Sequence, residues 1–310
     1  MSDQITTASA ATIYIRPELE NGVGAAVTGE VMRPISVSEQ ISNIDSVRKL
    51  AALFVVVCLW ELYTRFGGIN ELMFPTFTAT ATALYDAIVN ESLMLNVWNS
   101  LKLLLTGYAI GISFAVALVV LAVGSRFGSD LLTTLTAMLN PLPAVALLPM
   151  AMLWFGLGSE AIIFTLLHSI IWPVALNTHA GFLGVSETHR MVGKNYSLKG
   201  LAYIGKILVP AAFPNILTGL RIAWAFSWRT LIAAELVFGG QVMDTSGNLG
   251  AEGSTAGGLG YIIFQNQMES QTSYVFAGLF MVILVGIVVE NGVFLNIEER
   301  TIRKWGMQQS

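Results

Sequence analysis

The sequence predicts an all-α, polytopic membrane protein with six transmembrane helices and both termini in the cytoplasm. Composition is the first reason. Of 310 residues, 54% are hydrophobic and only 12% charged, against about 25% charged in soluble domains, and the mean hydropathy is +0.66. The second reason is the set of apolar runs long enough to cross a bilayer. The third is the placement of Lys and Arg, which crowd alternate connections. Cys58, the one cysteine, lies in an apolar run, so no disulfide framework is expected.

Residues 1–44 are polar and Ser/Thr-rich and lack the early basic and apolar regions of a signal peptide. They read as a disordered tail on the side of synthesis, with room for a short helix around Ser36–Ser46. The apolar body runs over 45–305, and 306–310 is a short tail.

The first span is Leu50–Phe66, ended by Gly67 and Gly68. Thr78–Val89 then predicts an amphipathic helix lying on the membrane, with Ala81, Leu84, Tyr85 and Ile88 as its apolar face. The second span is Ser100–Gly124, where Gly107, Ala109, Gly111, Ala115 and Ala117 allow close helix packing. Ser125–Gly128 reads as a turn. The third run, Leu131–Phe155, is broken by Pro141, Pro143 and Pro149, so it is expected to pack in protein or line a cavity, where freed carbonyls find partners. Gly156-Leu157-Gly158 ends it, and the fourth span, Ala161–Phe182, is interrupted by Pro173.

Gly184–Pro214 is a polar, basic interruption carrying Arg190, Lys194, Lys199 and Lys206. In its second half Leu198, Leu201, Ala202, Gly205 and Leu208 fall on one helical face. The fifth span is Ile216–Gly239, with Arg221, Trp224, Trp228, Arg229 and Glu235. Gly239–Gln271 is Gly/Ser/Thr-rich and free of Lys and Arg; within it Gly258–Asn266 reads as a re-entrant or surface helix. The sixth span is Tyr274–Leu295, followed by a basic tail, Glu298–Ser310.

With the N-terminus inside, twelve of the sixteen Lys and Arg fall on the cytoplasmic side, including Arg126 and the four of the 184–214 segment. That bias fixes the orientation.

No Walker-type phosphate loop, His/Glu metal motif or nucleophile elbow occurs, so neither a catalytic centre nor a metal site is expected. Energy, if any is used, must then come from a partner or an ion gradient. Arg221 and Arg229, about 80° apart around the fifth helix and ~12 Å along it, read either as a cationic lining for an anionic solute or as structural partners of Glu235 or Glu290. Arg221 lies nearer the cytoplasmic end, which favours a gate-side or structural role, and Glu235 reads as structural, near the outer end. His168 and Trp172 share a face of the fourth span, and Trp228 flanks Arg229; each reads as a pathway candidate or as packing.

The residues then carry a pattern. Asn140–Gly158, Ile207–Gly239 and Gly257–Gln265 resemble the permease of binding-protein-dependent ABC importers, above all the branch for nitrate, sulfonates, taurine and bicarbonate. The resemblance covers about 45–305; the long N-terminal tail and the loop at Gln241–Ser254 go beyond it. It implies the type I importer fold and a cytoplasmic coupling loop, at 184–210, ending in the Ile207-Leu208-Val209-Pro210 form of I-x-L-P. The family motif, E-A-A-x3-G-x9-I-x-L-P, fits in two registers. Counting back from Pro210 puts its glycine on Ser197, and counting forward from Glu187 puts it on Gly193. Between them the registers implicate Glu187, His189, Arg190, Gly193, Lys194, Asn195, Tyr196, Ser197, Leu198 and Gly200 in docking an ATPase.

The resemblance further implies partners: two cytoplasmic ATPases, which hold the ATP and Mg, a second permease copy or paralogue, and an extracytoplasmic binding protein, all at a bacterial inner membrane. No cofactor in this chain and no nucleic acid are implied. The alternative class is an ion-gradient-driven secondary transporter. Against it, the 50–182 half has no convincing repeat in 211–295, and no span holds an Asp.

Overall fold

The structure, a computed structural model, describes residues 45–238 and 257–303. The expected tail helix before residue 45, the Gln241–Ser254 loop and the last residues of the basic tail lie outside these. Every regular element among the described residues is helical. The chain divides into two units, Met1–Val56 and Val57–Ser310.

Of the first unit, 45–56 is described: it forms the beginning of helix α1 (Asp45–Phe66) and exposes Leu50, Leu53 and Phe54. All that follows concerns the second unit. There α1 ends before Gly67, and Gly68 takes a φ of +66°. Trp60 on α1 stacks on Phe280 with centroids 5.7 Å apart, meets Phe74, Phe77 and Phe276, and donates its indole N–H to the Pro75 carbonyl at 3.1 Å.

Helix α2 (Phe77–Val89) is capped by Thr76, whose hydroxyl accepts from the Ala79 amide. Its buried face is Thr80, Ala83 and Ala87, while Tyr85 and Ile88 of the expected apolar face are exposed. The small residues let α2 lie close against the sixth predicted span, so packing with a neighbouring helix, rather than the larger apolar side chains, decides its orientation.

Helix α3 (Leu93–Gly124) begins earlier than expected and buries the stripe Ser100, Leu104, Gly107, Gly111, Ala115 and Val119. Ala109 and Ala117 lie off this stripe and are exposed. The supposed turn at Ser125–Gly128 is instead the start of helix α4 (Arg126–Leu139), with Ser125 as N-cap accepting from the Gly128 amide at 2.9 Å. The proline-rich break falls at Asn140–Pro143, and α5 (Leu148–Phe155) follows after a short 3₁₀ turn, bent 87° from α4.

Helix α6 (Ser159–Leu183) is the most enclosed of the long helices. It runs unbroken through Pro173, correcting the expected interruption; packing on both sides holds it where a proline would bend a free helix. Its neighbours are α3 and helix α8 (Phe213–Phe238), and both contacts depend on absent side chains. A Cβ on Gly111 of α3 would sit 2.8 Å from Ile170 Cγ2, and one on Gly219 of α8 would sit 2.8 Å from Asn177 Cβ.

Between α6 and α8 lies α7 (Glu187–Asn195), then a second helical stretch, 200–211, bent 79° from α8 and containing a π turn at Ile204–Leu208. The expected common face of Leu198–Leu208 does not form. Leu198 precedes the helix, which starts at Gly200 with φ +57°; Leu201 is exposed and Leu208 buried. The π turn adds a residue to the turn, which rotates Leu208 away from the register of Leu201.

Helix α9 (Leu259–Met268) packs against α3, α8 and α10 (Thr272–Val289). The sixth helix does not stop near Leu295: it continues through two π turns to Arg303, so the tail expected from Glu298 is helical as far as it is described. Among the described residues three helices are long and apolar enough to cross a membrane: α3, α6 and Thr272–Ile302. Five qualify if each bent pair is one span.

Overpacking a tight helix contact costs about 1–3 kcal/mol. Gly111→Val is therefore expected to lower the thermal stability of the detergent-purified chain by that amount, and Ala109→Val, on the exposed face of the same helix, to leave it nearly unchanged.

Candidate functional site

The proline break, α6 and α8 together enclose a groove of about 300 Å³. The 140–145 turn forms one wall, His168, Trp172 and Pro173 of α6 a second, and Phe226, Arg229 and Thr230 of α8 a third. Three sequence candidates therefore meet here: Arg229, His168 and Trp172. The turn exists because Pro141 and Pro143 cannot continue a helix, and it turns a backbone carbonyl toward α6. His168 Nε2 lies 3.0 Å from the Leu142 carbonyl oxygen. Trp172 donates its indole N–H to His168 Nδ1 at 3.1 Å. An indole nitrogen only donates, so Nδ1 is the acceptor and Nε2 carries the proton given to Leu142. The relay ties the broken segment to α6 and sets the imidazole's tautomer.

Arg229 is exposed and makes no hydrogen bond or ion pair with a described residue. No carboxylate lines the groove. Among the described residues its only ionisable linings are Arg229 and His168, so its field favours an anion. Behind it, Ser169 Oγ and Thr230 Oγ1 are hydrogen-bonded at 2.9 Å, pinning α6 to α8.

Arg221 and Trp228 do not line this groove. Trp228 is buried and donates to the Val282 carbonyl at 3.2 Å. Arg221 turns to the extended sixth helix. Its Nη2 donates to Glu298 Oε2 at 2.9 Å, and the Phe294 ring lies 5.9 Å from its Cζ. Nε lies 3.0 Å from Glu290 Oε1, an ion pair by distance whose angle makes no hydrogen bond. Sequence offered Glu290 as a partner, but Glu298 was hidden because the helix was expected to end before it.

Glu235 is buried beneath the start of α9. Its carboxylate accepts the Ser100 hydroxyl, at 2.7 Å to Oε1, and the Gly260 amide, at 2.8 Å to Oε2. Ser100 Oγ in turn accepts the Leu259 amide at 2.7 Å. Three helices, α3, α8 and α9, are thus joined at a buried carboxylate.

The 184–210 segment forms a helical hairpin. Ser186 Oγ lies 2.7 Å from His189 Nδ1 at its entry. Arg190 caps the end of α6, donating to the Phe182 carbonyl at 2.6 Å and the Val185 carbonyl at 3.0 Å. Gly193 is buried against Tyr203, where a Cβ would lie 2.7 Å from the ring. Glu187, Lys194, Asn195 and Tyr196 are exposed. Helix α7 closes with the Leu198 amide bonded to the Gly193 carbonyl at 3.0 Å and Ser197 at φ +52°. Glycine is cheapest in that backbone region, and the register ending at Pro210 puts the motif's glycine there. Gly200 follows at φ +57° and starts the return helix. Large apolar side chains stand out on the hairpin: Met191 at 53% exposure, Tyr196 at 76% and Leu201 at 72%.

Comparison with known proteins agrees with this architecture. Residues 107–295 match the family described as "Binding-protein-dependent transport system inner membrane component". The chain belongs to that family of transport permeases and is a multi-pass membrane protein. Within the family it falls in the branch whose members are named for nitrate, sulfonate, taurine and bicarbonate transport. It is 28% identical to a putative ABC transporter permease of Methanocaldococcus jannaschii, over 83% of this chain and 92% of the relative. It is 27% identical to a putative aliphatic sulfonates transport permease of Bacillus subtilis, over 81% and 84%. A nitrate import permease of Synechocystis is 26% identical, over 84% and 92%.

The two span arginines should separate by stability. Arg221→Met leaves two carboxylates without their cation and is expected to cost about 1–3 kcal/mol in thermal unfolding of the purified chain. Arg229→Met, which breaks no described contact, is expected to change stability by less than about 0.5 kcal/mol.

Proposed function

We propose that this chain is the membrane-spanning subunit of an ATP-driven importer, forming the pathway for a small anion that a binding protein delivers. Six spans, counting α1 and both bent pairs, put the termini and the hairpin in the cytoplasm. That is the arrangement the charge bias of the connections favours. The complex is a bacterial inner-membrane assembly of two permeases, this chain with a second copy or a paralogue, two ATPases and a binding protein. The chain itself has no catalytic centre and no cofactor; ATP and Mg belong to the ATPases.

The observation that carries this reading is the hairpin. Met191, Tyr196 and Leu201 are large, apolar and exposed on a segment too basic to lie in lipid. Exposed apolar groups rimmed by charge mark a protein contact. The contact fits an ATPase groove, with α7 as the inserted helix in the register that ends at Pro210. α7 is joined to α6 through Gly184 and the Arg190 cap, so a displacement of the hairpin is delivered to the helix bearing His168 and Trp172. Closing of the ATPases on ATP moves the hairpins of the two permeases together and opens the groove outward. Hydrolysis reverses it, a two-state element biased by its partner.

The anion reading rests on Arg229, a cation in a groove without carboxylates. Its substrate class is a nitrate, sulfonate, taurine, bicarbonate or small organic acid, in keeping with what the relatives are named for.

Reconstituted with its ATPases and binding protein, the complex is expected to take up the anion only with ATP. Arg229→Gln is expected to cut uptake at least tenfold, as loss of a charged contact worth about 1.5–3 kcal/mol would, with assembly unchanged. Uptake by Arg229→Gln at the parent rate would remove Arg229 from the pathway. Tyr196→Asp is expected to weaken ATPase binding, seen as loss of the ATPase from the purified complex, while the chain still inserts and folds.

A further inference from the structure

We propose that an anionic phospholipid occupies a two-part site at the joint between the coupling hairpin and the spans. The head would lie between Arg126 and Arg190, and one acyl chain would lie against Ile204 and Val209. The inference rests on the membrane orientation proposed above.

Two cavities carry it. One, of about 230 Å³, lies where α3 turns into α4 and α6 ends; its lining is mixed, with Ser125, Arg126, Ser129, His179 and Arg190 grouped beside apolar side chains such as Phe182. The other, of about 210 Å³, is apolar but for Thr178, lying between Val116 and Val120 of α3, Val174 of α6, and Ile204 and Val209 of the hairpin's return helix. Phe182 forms a wall of both. Their α3 linings, centred near residue 116 in one and on Ala122 and Val123 in the other, are roughly 10 Å apart along the helix axis. That offset places a polar head at the end of the spans and a hydrocarbon chain beside them, about one to two turns deeper.

The chemistry of the head site is specific in sign. No carboxylate lines it. Arg126 is exposed and makes no hydrogen bond or ion pair with a described residue. Arg190 spends Nε and Nη2 on the carbonyls of Phe182, Leu183 and Val185, which fixes the guanidinium in place without using Nη1. His179 is buried and lies 3.3 Å from the Ser129 hydroxyl, leaving that hydroxyl at the cavity wall. Two cations and hydroxyls suit a phosphodiester. The apolar cavity excludes a free phosphate as the whole occupant, since such a surface gains nothing from an ion and much from a hydrocarbon chain. Basic pockets between spans on the cytoplasmic side suit anionic headgroups in the negatively charged leaflet.

The position gives the lipid a consequence. Its occupant touches α3, α6 and both halves of the hairpin, the elements that move against one another if the hairpin transmits force. A bound lipid makes that joint sensitive to the composition of the inner leaflet.

Native mass spectrometry of the purified full-length chain tests this, with phosphatidylglycerol, phosphatidylcholine and inorganic phosphate as probes. One phosphatidylglycerol should survive washing with phosphatidylcholine, and phosphate alone should not displace it. Arg126→Gln should reduce its retention about fivefold, the worth of one interfacial cation. Val116→Phe, whose ring enters the apolar cavity from an exposed position, should reduce it independently. Equal retention of both lipids, equal retention by both variants, or displacement by phosphate overturns the proposal. ATP-driven uptake in the same preparation separates it from the transport reading. Selective retention without uptake contradicts the importer and leaves the lipid site; uptake without selective retention overturns the lipid site alone.

Discussion

The constraint on which the rest depends is the close approach of α3 and α8 to α6. Lipid supplies no hydrophobic drive between helices, so their association needs small residues that bring backbones together and make dispersion contacts dense. Gly107 and Gly111 bring α3 onto Leu166 and Ile170, and Gly181 and Gly219 bring α6 and α8 together around Asn177 and Asn215. With those contacts made, α6 continues unbroken through Pro173, and α6 and α8 form two walls of the groove. The Ser169–Thr230 hydrogen bond adds a polar pin at the level of the groove. The third wall, the 140–145 turn, is held by the Trp172–His168–Leu142 relay. The groove is therefore a consequence of helix packing, and Arg229, which has no described partner, stands on a well-packed helix.

Charge is distributed by task over the same frame. Arg190 is spent on the carbonyls at the end of α6, Arg221 on Glu290 and Glu298, and Glu235 on amides and a hydroxyl at the start of α9. Each satisfies groups that would otherwise be costly to bury. Arg126 and Arg229 have no described hydrogen bond or ion pair, and each faces a cavity. Counting which ionisable groups the fold has already used thus separates supporting residues from those open to a ligand.

Much of this was legible in the sequence, and the failures have physical reasons. Apolar run length identified the long helices, and the prolines at 141, 143 and 149 marked the break that makes the groove. His168 and Trp172, four apart, were readable as sharing a face. What periodicity missed was set by neighbours. The buried face of α2 is the small one, because its partner helix needs proximity more than bulk. Leu208 and Leu201 part company because the backbone inserts a π turn, which a 3.6-residue count does not anticipate. Arg221 and Arg229 look alike in sequence; only the continuation of the sixth helix to Glu298 gives one of them its partners. Ser197 carries no glycine signal, yet its φ of +52° marks the end of α7.

The claim that the hairpin is where another protein grips this chain is open to one direct measurement. Cys58 is the sole cysteine. In a Cys58→Ser background, a photo-crosslinker can be attached through a single cysteine at position 196 on the hairpin or, for comparison, at position 85 on the exposed face of α2. The account predicts an adduct with the ATPase from position 196 and none from position 85. An ATPase adduct from 85 and not from 196, or none from either in a complex that hydrolyses ATP, would contradict it.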